Sequence, residues 1–165
     1  MQKTFRIYRA KKEDARQIAE LAIQMWEDNT VEGLAEEFAE TPEDGMVFLA
    51  EAEGTAGEKS AIGFAQCQLR HDYVEGTETS PVGYLEGIFV REEYRKQGIA
   101  RQLLTACENW AIEQGCTEFA SDCELTNTVS QEFHKSLGFE EANRVVCFTK
   151  SLQNVGEERW TRNFY

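Results

Sequence analysis

The sequence is short of basic residues. Its 165 residues include 17 Lys and Arg against 30 Asp and Glu, which gives a formal net charge of −13 at pH 7. This balance argues against nucleic acid as a ligand, because binding a phosphate backbone needs a basic surface. No apolar run is long enough to span a membrane, and residues 1–14 contain no hydrophobic signal core. We therefore expect a soluble cytoplasmic protein with no nucleic-acid or membrane partner.

Proline and glycine are also scarce, with 2 and 12 residues in a chain that is 41% hydrophobic. This composition argues against a disordered or fibrous protein, and the length suits one globular domain with a proper core. Regular patterning ends near residue 151. We predict one domain over residues 1–151 and a disordered or appended tail over residues 152–165.

The cysteines show neither pairing nor zinc-ligand spacing. They are five, an odd number without a C-x-x-C motif, at Cys67, Cys107, Cys116, Cys123 and Cys147. The chain has only two histidines, His71 and His134, so we predict no disulfide framework and no metal site. Reduced thiols packed as small apolar residues are the favoured interpretation, and a catalytic Cys–His pair stays open.

Acidic residues are concentrated in the first third of the chain. From Glu13 to Glu58 there are fourteen of them, and Arg16 is the one basic residue among them. A solvated acidic face that keeps the protein soluble is the simpler interpretation. The alternative is a negative field that attracts a polycationic ligand into a cleft.

The hydrophobic pattern predicts strands and helices that alternate in the second half of the chain. The predicted strands are Phe5–Arg9, Met46–Ala52, Ile62–Leu69, Val82–Val90, Cys116–Ser121 and Arg144–Lys150. The predicted helices are Lys11–Trp26, Val31–Glu40, Ile99–Gln114 and Thr126–Leu137. This order predicts an α/β fold with a mixed central sheet, antiparallel in its N-terminal half and parallel in its C-terminal half, flanked by helices.

The most informative motif lies between the apolar strand ending at Val90 and the long helix beginning at Ile99. There the chain reads R-x-x-G-x-A, from Arg95 to Ala100. Gly98 permits a tight turn, Ala100 leaves room for close backbone approach, and the helix directs its free N–H groups at the same point. The motif is typical of a pyrophosphate cradle, although a basic turn that caps a helix is an alternative.

These features resemble the GNAT acetyltransferase superfamily. A second landmark of that family begins at Asn127 and ends in the sequence FHKSLGF at Phe139, and together the resemblances span Arg6 to Lys150. The stretches RHDYVEG, SPV, LEGIFV and ASD further resemble the aminoglycoside 6′-N-acetyltransferases. The resemblance implies the GNAT fold, acetyl-coenzyme A as co-substrate without a metal, and a homodimer.

The resemblance also implies how acetyl-coenzyme A binds. The backbone of Ile88, Phe89 and Val90 would pair with the pantetheine arm, and Asn127 would contact the cofactor from the facing helix. The pyrophosphate would lie on the turn and helix start formed by Arg95, Lys96, Gln97, Gly98, Ile99, Ala100 and Arg101.

Two carboxylates are candidates for the chemistry on the amine. Glu86 interrupts an apolar strand, where a carboxylate is costly unless paired or functional, so we predict it to be the base, acting through water. Its alternative is a position on the solvent face of the strand. Asp122 follows the neighbouring strand and would bind substrate ammonium groups, whereas the simpler interpretation of an Asp there is a turn former.

Four further residues enter through the resemblance. Trp26 and Tyr73 would face the sugar rings, although Trp26 fits the core equally well and Tyr73 fits a dimer contact. His134 stands where many GNAT enzymes carry a tyrosine that protonates the leaving thiolate, so either it is catalytic or it is a packed helix histidine. Asn143 stands where relatives carry a substrate-binding acid.

The implied activity is transfer of an acetyl group to the 6′-amine of kanamycin- or tobramycin-class aminoglycosides by direct attack, conferring resistance. Aminoglycosides are polycations, which gives the acidic charge a purpose. The alternatives are a GNAT enzyme for polyamines or protein amines, and a non-catalytic acetyl-coenzyme A sensor.

Overall fold

The computed structural model describes residues 4–153. In chain order its elements are β1 (Phe5–Arg9), α1 (Ala15–Ala22), α2 (Val31–Ala39), β2 (Gly45–Glu53), β3 (Lys59–Arg70), β4 (Val82–Val90), α3 (Ile99–Glu113), β5 (Phe119–Ala120) and α4 (Thr128–Ser136). Short 3-10 helices precede α1 and follow β4, at Lys12–Asp14 and Glu92–Tyr94. None of the described helices has the length and apolar character needed to cross a bilayer.

The five strands form one sheet in the order β1-β2-β3-β4-β5. Strands β1 to β4 are antiparallel neighbours, and β5 is parallel to β4. The predicted α/β class and the mixed sheet are therefore confirmed. The parallel pair arises because α3 crosses over between β4 and β5, as a β-α-β connection requires.

Helices cover both faces of the sheet. On one face α3 buries Leu103, Cys107 and Trp110 against strand residues such as Ile62 and Leu85. On the other face α1 and α2 pack against a different set of strand residues, with Phe64, Leu49 and Val47 at the contact. Strand residues alternate between the two faces, so both are apolar and the sheet is the middle layer of three.

Two elements are shorter than the sequence predicts. The helix predicted to reach Trp26 ends at Ala22, and turns carry the chain onward. The strand predicted over Cys116–Ser121 is reduced to Phe119–Ala120. The hydrophobic periodicity of the sequence shows where a helix or strand could pack. Its ends depend on the neighbouring elements with which it pairs or packs.

The strand predicted at Arg144–Lys150 is wrong for the described chain, because residues 144–150 carry no strand pairing. Val145, Val146 and Phe148 are instead 62%, 78% and 89% exposed. The segment has the apolar residues of a strand but no neighbouring strand with which to pair. Most of the predicted tail, residues 154–165, lies outside the described residues, so the boundary at residue 151 stays a prediction.

The thiols divide into two groups. Cys67, Cys107 and Cys116 are buried, as expected for small apolar residues, and Cys123 and Cys147 are exposed. The hydrogen bond to Cys67, together with burial, raises the pKa of the Cys107 thiol. The three buried cysteines pack as small apolar residues.

Candidate functional site

The sheet opens between β4 and β5. These strands pair only at Gly83 with Phe119 and at Tyr84 with Ala120, whereas the other edge of β4 pairs with β3 as far as Val90. Within residues 4–153, no strand pairs with this second edge of β4 after Tyr84. An open edge of this kind can accept an extended chain as an added strand.

A β-bulge places Glu86 at this opening. Gln66 of β3 pairs with Gly87 and the next residue, Cys67, pairs with Leu85, so Glu86 is the extra residue of β4. A bulge bends the strand and redirects the side chain of its extra residue. The Glu86 side chain is 25% exposed.

Glu86 belongs to a chain of charged and polar side chains. Arg70 donates a hydrogen bond from Nη2 to Glu86 Oε1 at 2.9 Å, and its guanidinium lies 3.6 Å from the centre of the Tyr84 ring. Tyr84 in turn donates from its hydroxyl to Asp122 Oδ1 at 2.7 Å. Asp122 therefore has a defined partner and is more than a turn former.

The pKa values of two members reflect this arrangement. Burial raises the pKa of the Tyr84 phenol, and the hydrogen bond to Asp122 and the charge of Asp122 raise it further. Burial would lower the pKa of Arg70, but its hydrogen bond to Glu86 and the carboxylate charge more than offset this and raise it. Tyr84 is thus a neutral donor, and Arg70 is a fixed cation beside the carboxylate.

A cavity of about 410 Å³ adjoins Glu86. Carboxylates, carboxamides and two apolar side chains from α2, β3, β4 and the turns after α1 line it: Trp26, Asn29, Leu34, Glu37, Gln66, Gln68 and Glu86. Carboxylates attract ammonium groups, amides bond hydroxyls, and an aromatic face covers a sugar ring. The lining therefore suits a cationic, hydroxylated ligand.

Trp26 combines the two roles that the sequence left open. Its ring stacks on Phe38 with centroids 6.4 Å apart and meets Phe64 edge-on at 6.2 Å. The same half-buried side chain lines the cavity, and a Cβ placed on Gly87 would lie 2.8 Å from its Cζ2 atom. The glycine therefore lets the indole pack directly on β4 beside Glu86.

The turn before α3 has the geometry of an anion cradle. Lys96 and Gly98 have φ angles of 58° and 79°, and a Cβ at Gly98 would meet nothing within 4 Å. Lys96 and Gln97 are exposed, Ala100 is half-buried and Ile99 is buried in the core, so Ile99 can offer its backbone only. The N–H groups of the first turn of α3 begin at this point.

Arg95 of the motif and Arg101, the residue that follows it, also hold the site together. Arg95 donates from Nε to the carbonyl of Val90 at 2.9 Å, and its guanidinium lies 5.8 Å from the Phe89 ring. Arg101 donates from Nη2 to the carbonyl of Ser136 at 2.6 Å, which ties α3 to the end of α4. These contacts fix the turn against β4 and α4.

Helix α4 carries the other two predicted contacts. Asn127 caps it, because its Oδ1 accepts from the Ser130 N–H at 3.0 Å, which leaves its amide N–H groups for a ligand. His134 lies one turn after Ser130, with Nδ1 at 2.7 Å from the carbonyl of Ser130 and Nε2 at 2.9 Å from Ser121 Oγ. Both ring nitrogens of His134 therefore have partners within the fold, and Nε2 faces Ser121 at the end of β5.

Three predicted substrate residues do not line the cavity: Tyr73, Asp122 and Asn143. Tyr73 is 77% exposed in the loop after β3. Asn143 donates to Glu75 Oε1 at 2.6 Å, which fastens the C-terminal segment to that loop. The sequence alone did not indicate six residues of the site: Arg70, Ser121, Asn29, Glu37, Gln66 and Gln68. For Gln66 and Gln68, the signal available was their alternation along β3. Within residues 4–153, no group of three or more metal-ligating side chains comes together.

An open parallel pair, a turn with the geometry of an anion cradle and a carboxylate in a bulge are the features expected of an acyltransferase site. Residues 4–139 match the Acetyltransferase (GNAT) family. The chain belongs to that family.

Similar proteins share one description. The aminoglycoside N(6′)-acetyltransferase type 1 of Stenotrophomonas maltophilia is 40% identical over 142 residues, 85% of this chain and 89% of the relative. The protein of the same name from Salmonella typhimurium is 48% identical over 103 residues, covering 62% of this chain and 68% of the relative.

Solved structures agree with this similarity. The aminoglycoside N-acetyltransferase AAC(6′)-Iy in complex with CoA is 37% identical, with a TM-score of 0.84 over 91% of this chain and 97% of that one. The aminoglycoside 6′-N-acetyltransferase AAC(6′)-Ih from Acinetobacter baumannii is also 37% identical, with a TM-score of 0.81 over 90% and 99% of the two chains.

Proposed function

We propose that the protein transfers an acetyl group from acetyl-coenzyme A to the 6′-amine of kanamycin- and tobramycin-class aminoglycosides, and that this confers resistance to them. The observation that carries the proposal is that Glu86 lies at the open edge of β4 and also lines the polar cavity. One carboxylate thus joins a place for an extended acyl carrier to a place for a polyamine. The names of the similar proteins support the same substrate class.

The residues fit acetyl-coenzyme A, which supplies the activated acetyl group as a thioester. The backbone of Ile88, Phe89 and Val90 is on the open edge and would bond the pantetheine amides. The N–H groups from Lys96 to Arg101 would hold the pyrophosphate, with Arg95 and the Asn127 side chain beside them. A structure of the similar AAC(6′)-Iy with a CoA-acetylneamine bisubstrate analogue supports this assignment.

On the amine side, direct attack on the thioester needs a neutral nitrogen held at the opening. Glu86 would take the first proton from the ammonium through water. Glu37, which lines the cavity, and Asp122, which lies outside its lining, would bind other ammonium groups, and Trp26 would cover a ring. Arg70 already donates a hydrogen bond to Glu86 Oε1 at 2.9 Å. This bond would orient the carboxylate and leave its other oxygen for the ammonium.

The remaining predicted roles stay proposals. His134 would return a proton to the leaving thiolate. Tyr73 would reach the substrate from the loop that follows β3. Asn143 is bonded to Glu75 of the same loop and would reach the substrate from there.

We also propose a homodimer and a cytoplasmic location. Val145, Val146 and Phe148 are exposed side chains of a strand-like segment, and a second copy of the chain would offer them a partner. Sedimentation of the intact protein tests this, since a monomer at micromolar concentration would contradict it. The five free thiols are in keeping with a reducing compartment.

A thiol-release assay with acetyl-coenzyme A tests the activity. It compares tobramycin, its 6′-hydroxy counterpart, which lacks the acceptor amine, and spermidine. Turnover of tobramycin alone is expected. Turnover of spermidine alone would keep the assignment to the acetyltransferase family but reject an aminoglycoside as the substrate. Binding of acetyl-coenzyme A without any turnover would indicate a sensor.

A further inference from the structure

The end of β5 carries a hydroxyl that the proposed chemistry has not used. Ser121 directly follows β5, at the point where that strand leaves β4. Its Oγ lies 2.9 Å from His134 Nε2 and 3.3 Å from the carbonyl oxygen of Leu85, the residue before Glu86. The hydroxyl therefore lies between the histidine on α4 and the strand that carries the predicted base.

The contacts of His134 assign its hydrogen. A carbonyl oxygen can only accept, so the 2.7 Å contact with the Ser130 carbonyl places a hydrogen on Nδ1. In the neutral ring Nε2 then accepts, and the Ser121 hydroxyl is its donor. Edge-on contact with the Phe139 ring, with centroids 5.3 Å apart, further fixes the imidazole plane.

Each protonation state of the ring sets a different role for the hydroxyl. With neutral His134 the Ser121 hydrogen points at Nε2, so the lone pairs of Oγ are left to accept a hydrogen bond. With protonated His134 the ring donates to Oγ, and the Ser121 hydrogen is then available to the Leu85 carbonyl oxygen at 3.3 Å or to a group bound at the opening. A hydroxyl held in this way can take up and give back one proton at the same position.

We propose that Ser121 is a catalytic residue that carries a proton from the attacking amine to the leaving thiolate, with His134 as the store. This rests on the proposed acetyl transfer. His134 therefore protonates the thiolate through Ser121 and not directly. Glu86 has a separate task, which is to take a proton from the ammonium before the amine attacks.

The proton balance of the reaction closes over this pair. As the amine nitrogen forms its bond to the acetyl carbon, the carbonyl electron pair moves to oxygen and the nitrogen becomes positively charged. Its extra proton passes to Ser121 Oγ while the Ser121 proton passes to Nε2. When the carbon–sulfur bond breaks and its electron pair goes to sulfur, the imidazolium returns its proton to Oγ and the hydroxyl proton goes to the thiolate. The products are the amide and the thiol, and the pair is back in its starting state.

The kinetic test uses Ser121→Ala with tobramycin and acetyl-coenzyme A. We expect kcat to fall about a hundredfold while the KM for tobramycin and the Kd for acetyl-coenzyme A change less than about threefold. Ser121→Thr, which keeps a hydroxyl, should recover most of the rate. Thr105→Ala is the matched control, because it removes an exposed hydroxyl that bonds only within α3.

The double variant Ser121→Ala/His134→Gln separates a relay from two independent roles. On one proton path the two losses should not multiply, so the double variant should be about as slow as the slower single one. His134→Gln alone should lose about a hundredfold and serves as the test if Ser121→Ala does not fold.

A measurement on the free protein does not depend on turnover. Nitrogen-15 NMR of the imidazole should show neutral His134 with its proton on Nδ1. A proton on Nε2, a Ser121→Ala rate close to wild type, multiplying losses, or a parallel loss of acetyl-coenzyme A affinity would each overturn the proposal. Wild-type protein that leaves tobramycin unacetylated would instead reject the proposed function.

Discussion

Strand β4 has one closed edge and one open edge. Along β3 its pairing runs from Val82 to Val90 and is interrupted only by the bulge at Glu86. Along β5 the pairing stops at Tyr84. The closed edge satisfies its backbone groups within the fold and holds the helices in place, whereas the open edge keeps its backbone groups for a ligand. The bulge connects the two, because the closed edge determines where Glu86 points.

The largest expected effect comes from the bulged residue itself. Glu86→Gln keeps an oxygen that can accept from Arg70 but removes the basic carboxylate. We expect kcat for tobramycin to fall about a hundredfold or more, with acetyl-coenzyme A affinity near normal in a calorimetric titration. Glu53→Gln, at the exposed end of β2, is the control. A matching loss of acetyl-coenzyme A binding would show that Glu86 is structural.

The next effect concerns the turn at the far end of the open edge. Gly98→Val places a side chain in open space where the pyrophosphate would lie, so we expect acetyl-coenzyme A to bind at least tenfold more weakly. Gly115→Val is a matched control, since Gly115 has a φ of 90° and equally open surroundings at the end of α3. Both variants should lose similar stability because of the positive φ, and equal affinity in the two would remove the cradle from the account.

Trp26 tests the boundary between core and site. Trp26→Ala removes a half-buried ring that both packs and lines the cavity, so we expect about 2 kcal/mol of lost stability and a severalfold rise in the KM for tobramycin. Phe38→Leu is the comparison, because it weakens the same aromatic cluster without touching this cavity. It should lower Tm and leave KM unchanged. An equal rise in KM in both variants would make Trp26 a core residue only.

The smallest effect concerns the short closed part of the β4–β5 pair. Glu118 Oε1 accepts from the Thr79 hydroxyl and from the N–H groups of Thr79 and Glu78, and these bonds lower its pKa below the ordinary 4.5. The stabilisation is therefore complete above about pH 4.5 and is lost as the pH falls through the lower folded value. Glu118→Gln should lower Tm slightly at pH 7 and flatten the decline of Tm at acid pH.

Glu140→Gln is the control for this pH dependence, since Glu140 is exposed. It should leave the Tm curve as in the wild type. If the Tm of Glu118→Gln also has the pH dependence of the wild type, the bonds from Glu118 to Thr79 do not hold the loop between β3 and β4 in solution.

Much of the closed region follows from sequence. Phe5–Arg9 and Val82–Val90 have the predicted bounds. The apolar residues alternate in the first strand and are nearly continuous in the second, and each strand has a partner along its full length. The open region is where prediction failed. Phe119–Ala120 is shorter than predicted and residues 144–150 form no strand, since pairing depends on neighbours that periodicity does not specify.

The candidate site shows the same division. Glu86 stands out in the sequence because a carboxylate interrupts an apolar strand, and the structure places it at the opening. Arg70 and Glu37 do not stand out, because polar residues at strand ends and on helices are common. Their convergence depends on the register of β3 and on the packing of α2. Ser121 became evident only when α4 placed His134 against it.

The central claim is that the open edge of β4 receives acetyl-coenzyme A. Hydrogen exchange, measured with and without acetyl-coenzyme A, tests it most directly on the amides of residues 86–90 that face the opening. The account predicts that these amides become protected on binding, while those of β3 that already pair with β4 change little. Unchanged exchange at residues 86–90 with acetyl-coenzyme A bound would contradict the account.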